Sequence, residues 1–370
     1  MAHKLYRTFI ILGLVIFLLA ACNLTPTPNR TIPSTPTALI VPTATTQKPT
    51  AIPTLAGSSP TREFGATAYQ ILLTTNNGVT LETLYSDLFR GISGISCPDV
   101  NTCVAVGSPN STLQTKDRGQ TWQQIEIKTT HVRSLGEIRC TNVDHCIIHH
   151  GGYFPSEWII TTQNGGNNWS ERLVPIKLLD TTCPTDKICY AVGRDGNVAK
   201  SSDGGHTWTR LLSPTTDDLT GISCPDINVC YATVYEHVYP FEKSAIIATT
   251  DGGEHWSLWA FDHFGLLIAI SCPTRQSCFA VGSGILMTHD SGATWNQVSD
   301  TRLPRFSATH VGCSTETACL VLGFNGMVIT TQDAGSTWED HTLANVESGW
   351  TGLSCPAQNV CYAVAQIRLK

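Results

Sequence analysis

The octet Ser201–Trp208 reads Ser-Ser-Asp-Gly-Gly-His-Thr-Trp, and the chain repeats its form again and again. Thr115–Trp122, Thr288–Trp295 and Thr331–Trp338 match the pattern S/T-x-D-x-G-x-T-W in full. Thr162–Trp169 carries Asn164 and Asn168 at two fixed positions, and Thr249–Trp256 has His255 before its Trp. A worn copy, Thr74–Leu81, keeps Asn76, Gly78 and Thr80 but ends in Leu. Successive copies start 41, 47, 39, 48, 39 and 43 residues apart. A period of that size marks a repeat architecture rather than seven unrelated turns.

Each octet follows apolar β-formers such as Ile246-Ile247 and Val328-Ile329. The acid or amide (Asn76, Asp117, Asn164, Asp203, Asp251, Asp290, Asp333) accepts hydrogen bonds from the turn's own N–H groups, and Gly supplies positive φ. The tryptophans (Trp122, Trp169, Trp208, Trp256, Trp295, Trp338) then bury a large ring against a neighbouring unit.

A second marker runs out of phase with the first. Cys-x5-Cys occurs at Cys97/Cys103, Cys140/Cys146, Cys183/Cys189, Cys224/Cys230, Cys272/Cys278, Cys313/Cys319 and Cys355/Cys361. Strand-like flanks make each pair bracket a five-residue hairpin loop. Opposed residues of an antiparallel pair lie close enough for a disulfide. Zinc fits less well, since zinc-binding cysteines are usually separated by two to four residues. Each staple is worth roughly 2 kcal/mol by the loop-entropy argument.

Together the markers define a unit of about 43 residues and four strands. The expected fold is all-β: a seven-bladed β-propeller of four-stranded antiparallel blades with one hairpin disulfide each. The ends complement one another. Residues 68–84 hold an octet without a preceding cysteine pair, and residues 350–370 hold a pair without a following octet. The last blade is therefore expected to be closed by both chain ends.

The octets resemble the Asp-box (BNR) repeats of sialidases, sortilin-type receptors and photosystem II assembly and stability factors. The resemblance covers residues 66–370 and implies the propeller scaffold. These families do different things on that scaffold, so it does not fix an activity.

Ahead of the repeats, Lys4 and Arg7 precede the apolar run Phe9–Leu19, as in a signal peptide spanning residues 1–21. Leu19-Ala20-Ala21-Cys22 resembles a bacterial lipobox, and Cys22 is the odd cysteine among 15. The resemblance implies lipid attachment at Cys22, with export and anchoring to the outer surface of the cell membrane or to the outer membrane. Residues 22–65 then form a tether: positions 23–61 hold eleven Thr and eight Pro, too little apolar surface to fold. The formal charge is −6, and removing Lys4 and Arg7 leaves 21 − 29 = −8. No basic footprint points to nucleic acid.

Disulfide loops and octets are expected on one face, with ligand contacts on the other. From the second Cys to the octet acid or amide the spacing is 14, 18, 14, 21, 12 and 14, so only repeats two and four are lengthened. The insertion Ile147–Trp158 contains His149, His150, Tyr153, Phe154, Glu157 and Trp158, and Tyr231–Ala245 contains Tyr235, Glu236, His237, Tyr239, Phe241, Glu242 and Lys243. Trp158, Tyr153, Arg194, Tyr235, Tyr239 and Phe241 are the candidate ligand contacts, as two aromatic lips over a floor bearing Arg194 and Asp195. Packing of the lips against each other competes with that reading.

His149, His150 and His237 lack ligand spacing, so no metal site and no cofactor are expected. The arginine cluster and Phe-Arg-Ile-Pro-like segment of a sialidase are missing, so no catalytic residue is assigned. The expected role is a monomeric binding scaffold for a protein or an envelope glycan. The alternative is a glycan-cleaving hydrolase, with Glu157 and Glu236 as paired carboxylates.

Overall fold

A computed structural model describes residues 67–88, 91–108, 111–131, 134–149, 156–236, 243–261, 264–298 and 308–368. Among them every regular element is a β-strand apart from one 3-10 turn at Phe324–Gly326. All strand pairings are antiparallel. The sheet of repeat one shows the general plan, with strands Gly91–Ser96, Cys103–Ser108, Ser111–Thr115 and Gln123–Glu126 in sequential order. The first strand stops before the first Cys, the second starts at the second Cys, the third enters the octet, and the fourth starts after its Trp.

Five sheets have four strands and one has seven. The seven-stranded sheet joins repeats two and three through the 13-residue strand Ser170–Thr182. Residues 170–173 pair with Trp158–Thr161, and residues 180–182 pair with Tyr190–Val192. The connection between repeats two and three is thus itself strand, where separate four-stranded units were expected.

One four-stranded sheet takes Thr67–Thr74 and Glu82–Asp87 from one end of the repeat region and Val346–Ala357 and Val360–Arg368 from the other. Thr67–Thr74 pairs along its whole length with Cys361–Arg368. The seven first strands also pack in a cycle: Gly91–Ser96 on Glu137–Cys140, then Ser170–Thr182, Asp218–Ser223, Leu267–Ser271, Ala308–Cys313 and Val346–Ala357, which returns to Gly91–Ser96. This arrangement of antiparallel sheets is a β-propeller.

The core is divided in the same way. Each of seven apolar clusters among the described residues is shared by two consecutive repeats. The octet tryptophans belong to these clusters, and the edge-on contacts Trp338–Phe279, Trp295–Tyr231 and Trp122–Tyr85 each reach the preceding unit. Leu81 takes the Trp position in the cluster of Leu72, Leu320 and Val346. Aromatic pairs of this geometry add about 0.5–1.5 kcal/mol beyond area burial.

All seven Cys-x5-Cys pairs are disulfide-bonded, with Cα atoms 4.0–4.1 Å apart. Cys140 and Cys313 are direct register partners of Cys146 and Cys319, the opposed geometry that the spacing implies.

Within each pair the second cysteine is a core residue. Cys103, Cys189, Cys230, Cys278 and Cys319 are completely buried, and Cys146 and Cys361 nearly so. The reason is positional: each of the seven is the first or second residue of the second strand of its repeat, which is covered on both faces by neighbouring sheets. Every apolar cluster accordingly contains one of them, with Cys230 beside Tyr190 and Ile247, and Cys278 beside Tyr231 and Leu286. The disulfides therefore tie the loop to the core, and these sulfurs offer nothing to a ligand.

Candidate functional site

The face that carries the disulfide loops is built from one turn used seven times. In each octet the fourth and fifth residues have positive φ, for example Asn77 (54°) with Gly78 (88°) and Arg118 (63°) with Gly119 (81°). Two successive left-handed residues make a type I′ turn. A non-glycine residue is strained there, and a hydrogen bond compensates. The N–H of the fourth residue donates to a carbonyl in the disulfide loop, from Arg118 to Asn101 at 2.9 Å through to Asn77 and Asn359 at 3.0 Å. The acceptor is always the fourth residue after the first Cys. At Gly119 the fifth residue must be Gly for a second reason. A Cβ on Gly119 would sit 2.4 Å from Leu84 of the neighbouring sheet.

The octet's opening hydroxyl matters as much as its acid. Thr331 Oγ1 donates to Asp333 Oδ1 at 2.9 Å and accepts the N–H of Gly335 at 2.9 Å. Asp333 in turn accepts the N–H of Thr337 at 2.8 Å and its hydroxyl at 2.6 Å. The sequence reading assigns a role to the acid but none to this hydroxyl. At Asp203 burial pushes the carboxyl up, but hydrogen bonds from Thr207 and Ser201 outweigh it and hold it at about 2. The hydroxyl and N–H of Thr294, then Thr288, hold Asp290 at about 2. Trp208 and Trp338 donate their indole N–H to Gly205 and Gly335. In all seven octets the opening hydroxyl bonds the acid or amide of the same turn.

Strand direction puts the other candidates at the opposite face, remote from the disulfides. Arg194 lies in the turn after Cys189–Gly193, and its Nη1 donates to Asp218 Oδ2 at 3.0 Å. The Asp195 N–H donates to Asp218 Oδ1 at 3.1 Å, and Lys177 Nζ lies 3.7 Å from Asp195. Asp218 opens the next strand opposite Tyr235, which is partly buried. Arg194 and Asp218 therefore form an ion pair, with Tyr235 opposite on the neighbouring strand.

Trp158 belongs to another. The His131 ring lies flat on it, with centroids 3.9 Å apart and 1° between planes. Glu171 fixes His131 by accepting its N–H at 2.8 Å and lying 3.0 Å from its Nδ1. Glu171 also accepts the Thr130 N–H at 3.0 Å and the Thr130 hydroxyl. His131 covers one face of Trp158 and is itself half-exposed. Cys22, Tyr153, Tyr239 and Phe241 lie outside the described residues, as do His150 and His237.

A third group lines the axis. A cavity of about 110 Å³ is bounded by residues of all seven first strands, among them Gly94, Glu137, Asp180, Ala269, His310 and Gly352. These six stand three residues before the first Cys of their repeats, as does Gly221. That position is Gly or Ala in four repeats, and Glu, Asp and His in the other three. Aligning the repeats on their cysteines would have exposed the signal.

Arg139 Nη2 donates to Glu137 Oε2 at 3.0 Å and lies 3.5 Å from Asp180 Oδ1. Asp180 also accepts the N–H groups of Thr181 at 2.8 Å and Ile222 at 2.9 Å. Burial pushes the Asp180 carboxyl up despite Arg139, and the neighbouring Glu137 charge adds to the rise. Burial also opposes ionisation of Glu137, but Arg139, His149 and His310 outweigh it and lower its pKa. Burial lowers His310.

The sequence reading places His149 in a loop insertion. It is instead fully buried in the strand His145–His149, facing Glu137 in register, with Nε2 3.9 Å from Asp180. Ile147 and Ile148 are likewise core residues, so the insertion of repeat two begins after them.

No family model matches the chain, and no curated protein is similar to it in sequence. Solved structures share the fold. YCF48 bound to D1 peptide is 17% identical with a TM-score of 0.57, over 84% of this chain and 97% of that one. YCF48 from Cyanidioschyzon merolae is 17% identical with a TM-score of 0.55, over 81% and 98% of the two chains. The WD40 β-propeller domain of Doa1 is 9% identical with a TM-score of 0.56, over 82% and 97%.

Proposed function

We propose that this chain is a lipid-anchored, extracytoplasmic propeller of seven blades, its last blade closed by both chain ends. It binds a protein partner on the face remote from the disulfides. The observation that carries this reading is the contrast between faces. The disulfide face repeats one turn seven times and spends its octet hydroxyls and acids on that turn. Non-repeating groups of mixed chemistry gather on the remote face of repeats two to four: Arg194–Asp218, Tyr235 and the His131–Trp158 stack. Variable surface on a rigid scaffold is where binding resides. A propeller of this fold has been solved with a bound peptide, which favours a protein over a glycan as partner.

Cys22 provides the anchor in this proposal, and residues 23–65 the reach, roughly 3.1 Å per extended residue. Labelling with a fatty-acid probe marks the wild type and not Cys22→Ser if the anchor is real. Equal labelling of both removes it. For binding, the Cys22→Ser chain is screened in parallel against a random peptide library, a glycan array and a glycosidase substrate panel. Peptide selection with consensus supports the proposal. Glycan binding alone replaces the partner class, and substrate turnover establishes the hydrolase alternative instead.

A further inference from the structure

We propose that the axial channel holds one divalent transition-metal ion, ligated by Glu137, His149 and Asp180. One donor atom from each lies within 4.8 Å of the others. The centre of such a triangle is no more than about 2.8 Å from each donor, so shifts of under about 1 Å reach bonding distance of about 2.0–2.2 Å. The cavity supplies the open side of the shell.

Three departures from the repeat pattern meet at this point. Glu137 and Asp180 stand where four other repeats have Gly or Ala. His149 stands three residues after the second Cys, where the other repeats carry Val, Leu or Thr: Val106, Val192, Thr233, Val281, Leu322 and Val364. Arg139 accounts for the two carboxylates, but it gives no reason to add the buried imidazole of His149 beside them. One nitrogen and two oxygens with an open side is a donor set for zinc or its first-row neighbours. Calcium and magnesium require more oxygen donors.

Arg139 supplies the positive charge that offsets these carboxylates, and it is 39% exposed towards the channel. It can keep one hydrogen bond to a carboxylate oxygen that does not face the ion, as groups around a metal's ligands commonly do. His310 comes from the opposite side and adds no charge when neutral.

A second triplet, Asp251, Glu254 and His255, lies exposed in an octet and must be removed from the test. His255→Thr does so by installing the residue that five other octets carry. In that background the full chain is titrated calorimetrically with Zn²⁺, with Ca²⁺ as competitor. The expected result is one equivalent bound at micromolar Kd, undisturbed by Ca²⁺. Glu137→Gln, whose side chain is a third exposed, should weaken binding by about tenfold or more while the chain keeps a cooperative thermal transition. A Co²⁺ absorption spectrum reports the nitrogen donor and should be lost in His149→Gln. Absence of Zn²⁺ binding at millimolar metal overturns the proposal, and so does Glu137→Gln binding as tightly as its parent.

Discussion

The two ends of each strand follow different rules. At the disulfide end, an octet turn and a cysteine loop meet through the same backbone hydrogen bond in all seven repeats. At the remote end, neighbouring repeats differ in length, charge and partners. Arg194 holds Asp218 in one place, and His131 covers Trp158 in another. Regularity at one end fixes the spacing between sheets, which leaves the other end free to vary without loss of the core. The scaffold is thus stapled where it is uniform and specialised where it is not.

The largest expected effect comes from removing the strands that join the two ends. Deleting residues 67–87 strips Val360–Arg368 of its partner along eight residue pairs and leaves an open edge. Size-exclusion chromatography should show aggregation, and a cooperative thermal transition should be lost. A monomer with unchanged Tm would show that the cycle of sheets does not need its last pairing.

A single octet hydroxyl comes next. Thr331→Val leaves the buried N–H of Gly335 without its acceptor and removes one of the donors to Asp333, which keeps the N–H and hydroxyl of Thr337. The expected loss is about 2–3 kcal/mol by urea denaturation, since an orphaned buried donor costs its full desolvation. Thr115→Val and Thr288→Val should cost the same within a factor of two, because their contacts are the same. A loss confined to one repeat would break the claim of uniformity.

Acid separates the faces more gently. The folded carboxyls of Asp203 and Asp290 sit at about 2, below the ordinary value of 3.8. A depressed folded pKa gives stability that is present above the unfolded value and lost as pH falls through the folded one. Denaturation midpoints should therefore decline between about pH 4 and pH 2. Asp203→Asn and Asp290→Asn together should flatten that decline. An undiminished decline in the double variant would assign it to other carboxyls.

The smallest effect is a gain. Asn164 occupies an octet acid position and accepts the Asn168 N–H at 2.9 Å through Oδ1. Asn164→Asp should strengthen that bond by a few tenths of a kcal/mol, seen as a slight rise in Tm above pH 4. A fall in Tm would mean that Asn168, in place of the usual Thr, cannot serve a carboxylate.

The fold was largely legible because its signals are local and repeated. Strand boundaries follow from the cysteines and octets almost residue for residue, and the disulfides follow from opposed hairpin positions. The depth of the second cysteines was less plain, because burial of Cys230 or Cys278 depends on the neighbouring sheets and not on the hairpin itself. The Ser170–Thr182 strand was not legible, since no turn signal distinguishes a strand that crosses between repeats from a loop. The acid's role in the octet was legible, but the hydroxyl that bonds it looks like an ordinary β-former. The channel group was hidden for another reason. Glu137 and His149 share one hairpin but Asp180 lies in the next repeat, and only superposing the repeats shows that each replaces a small or apolar residue. Trp158 stands out in the sequence as an aromatic lip, and nothing in its own segment announces that His131 covers it.

The contrast between faces is tested most directly by placing two substitutions against one ligand. With a peptide selected on the full chain, Kd and Tm are measured for Arg194→Ala and for Thr331→Val. Arg194→Ala should weaken binding by about tenfold or more, with Tm lowered by no more than a few degrees. Thr331→Val should lower Tm clearly and leave Kd within about twofold. The reverse pattern, with binding lost in Thr331→Val and retained in Arg194→Ala, would place recognition on the disulfide face and contradict the account.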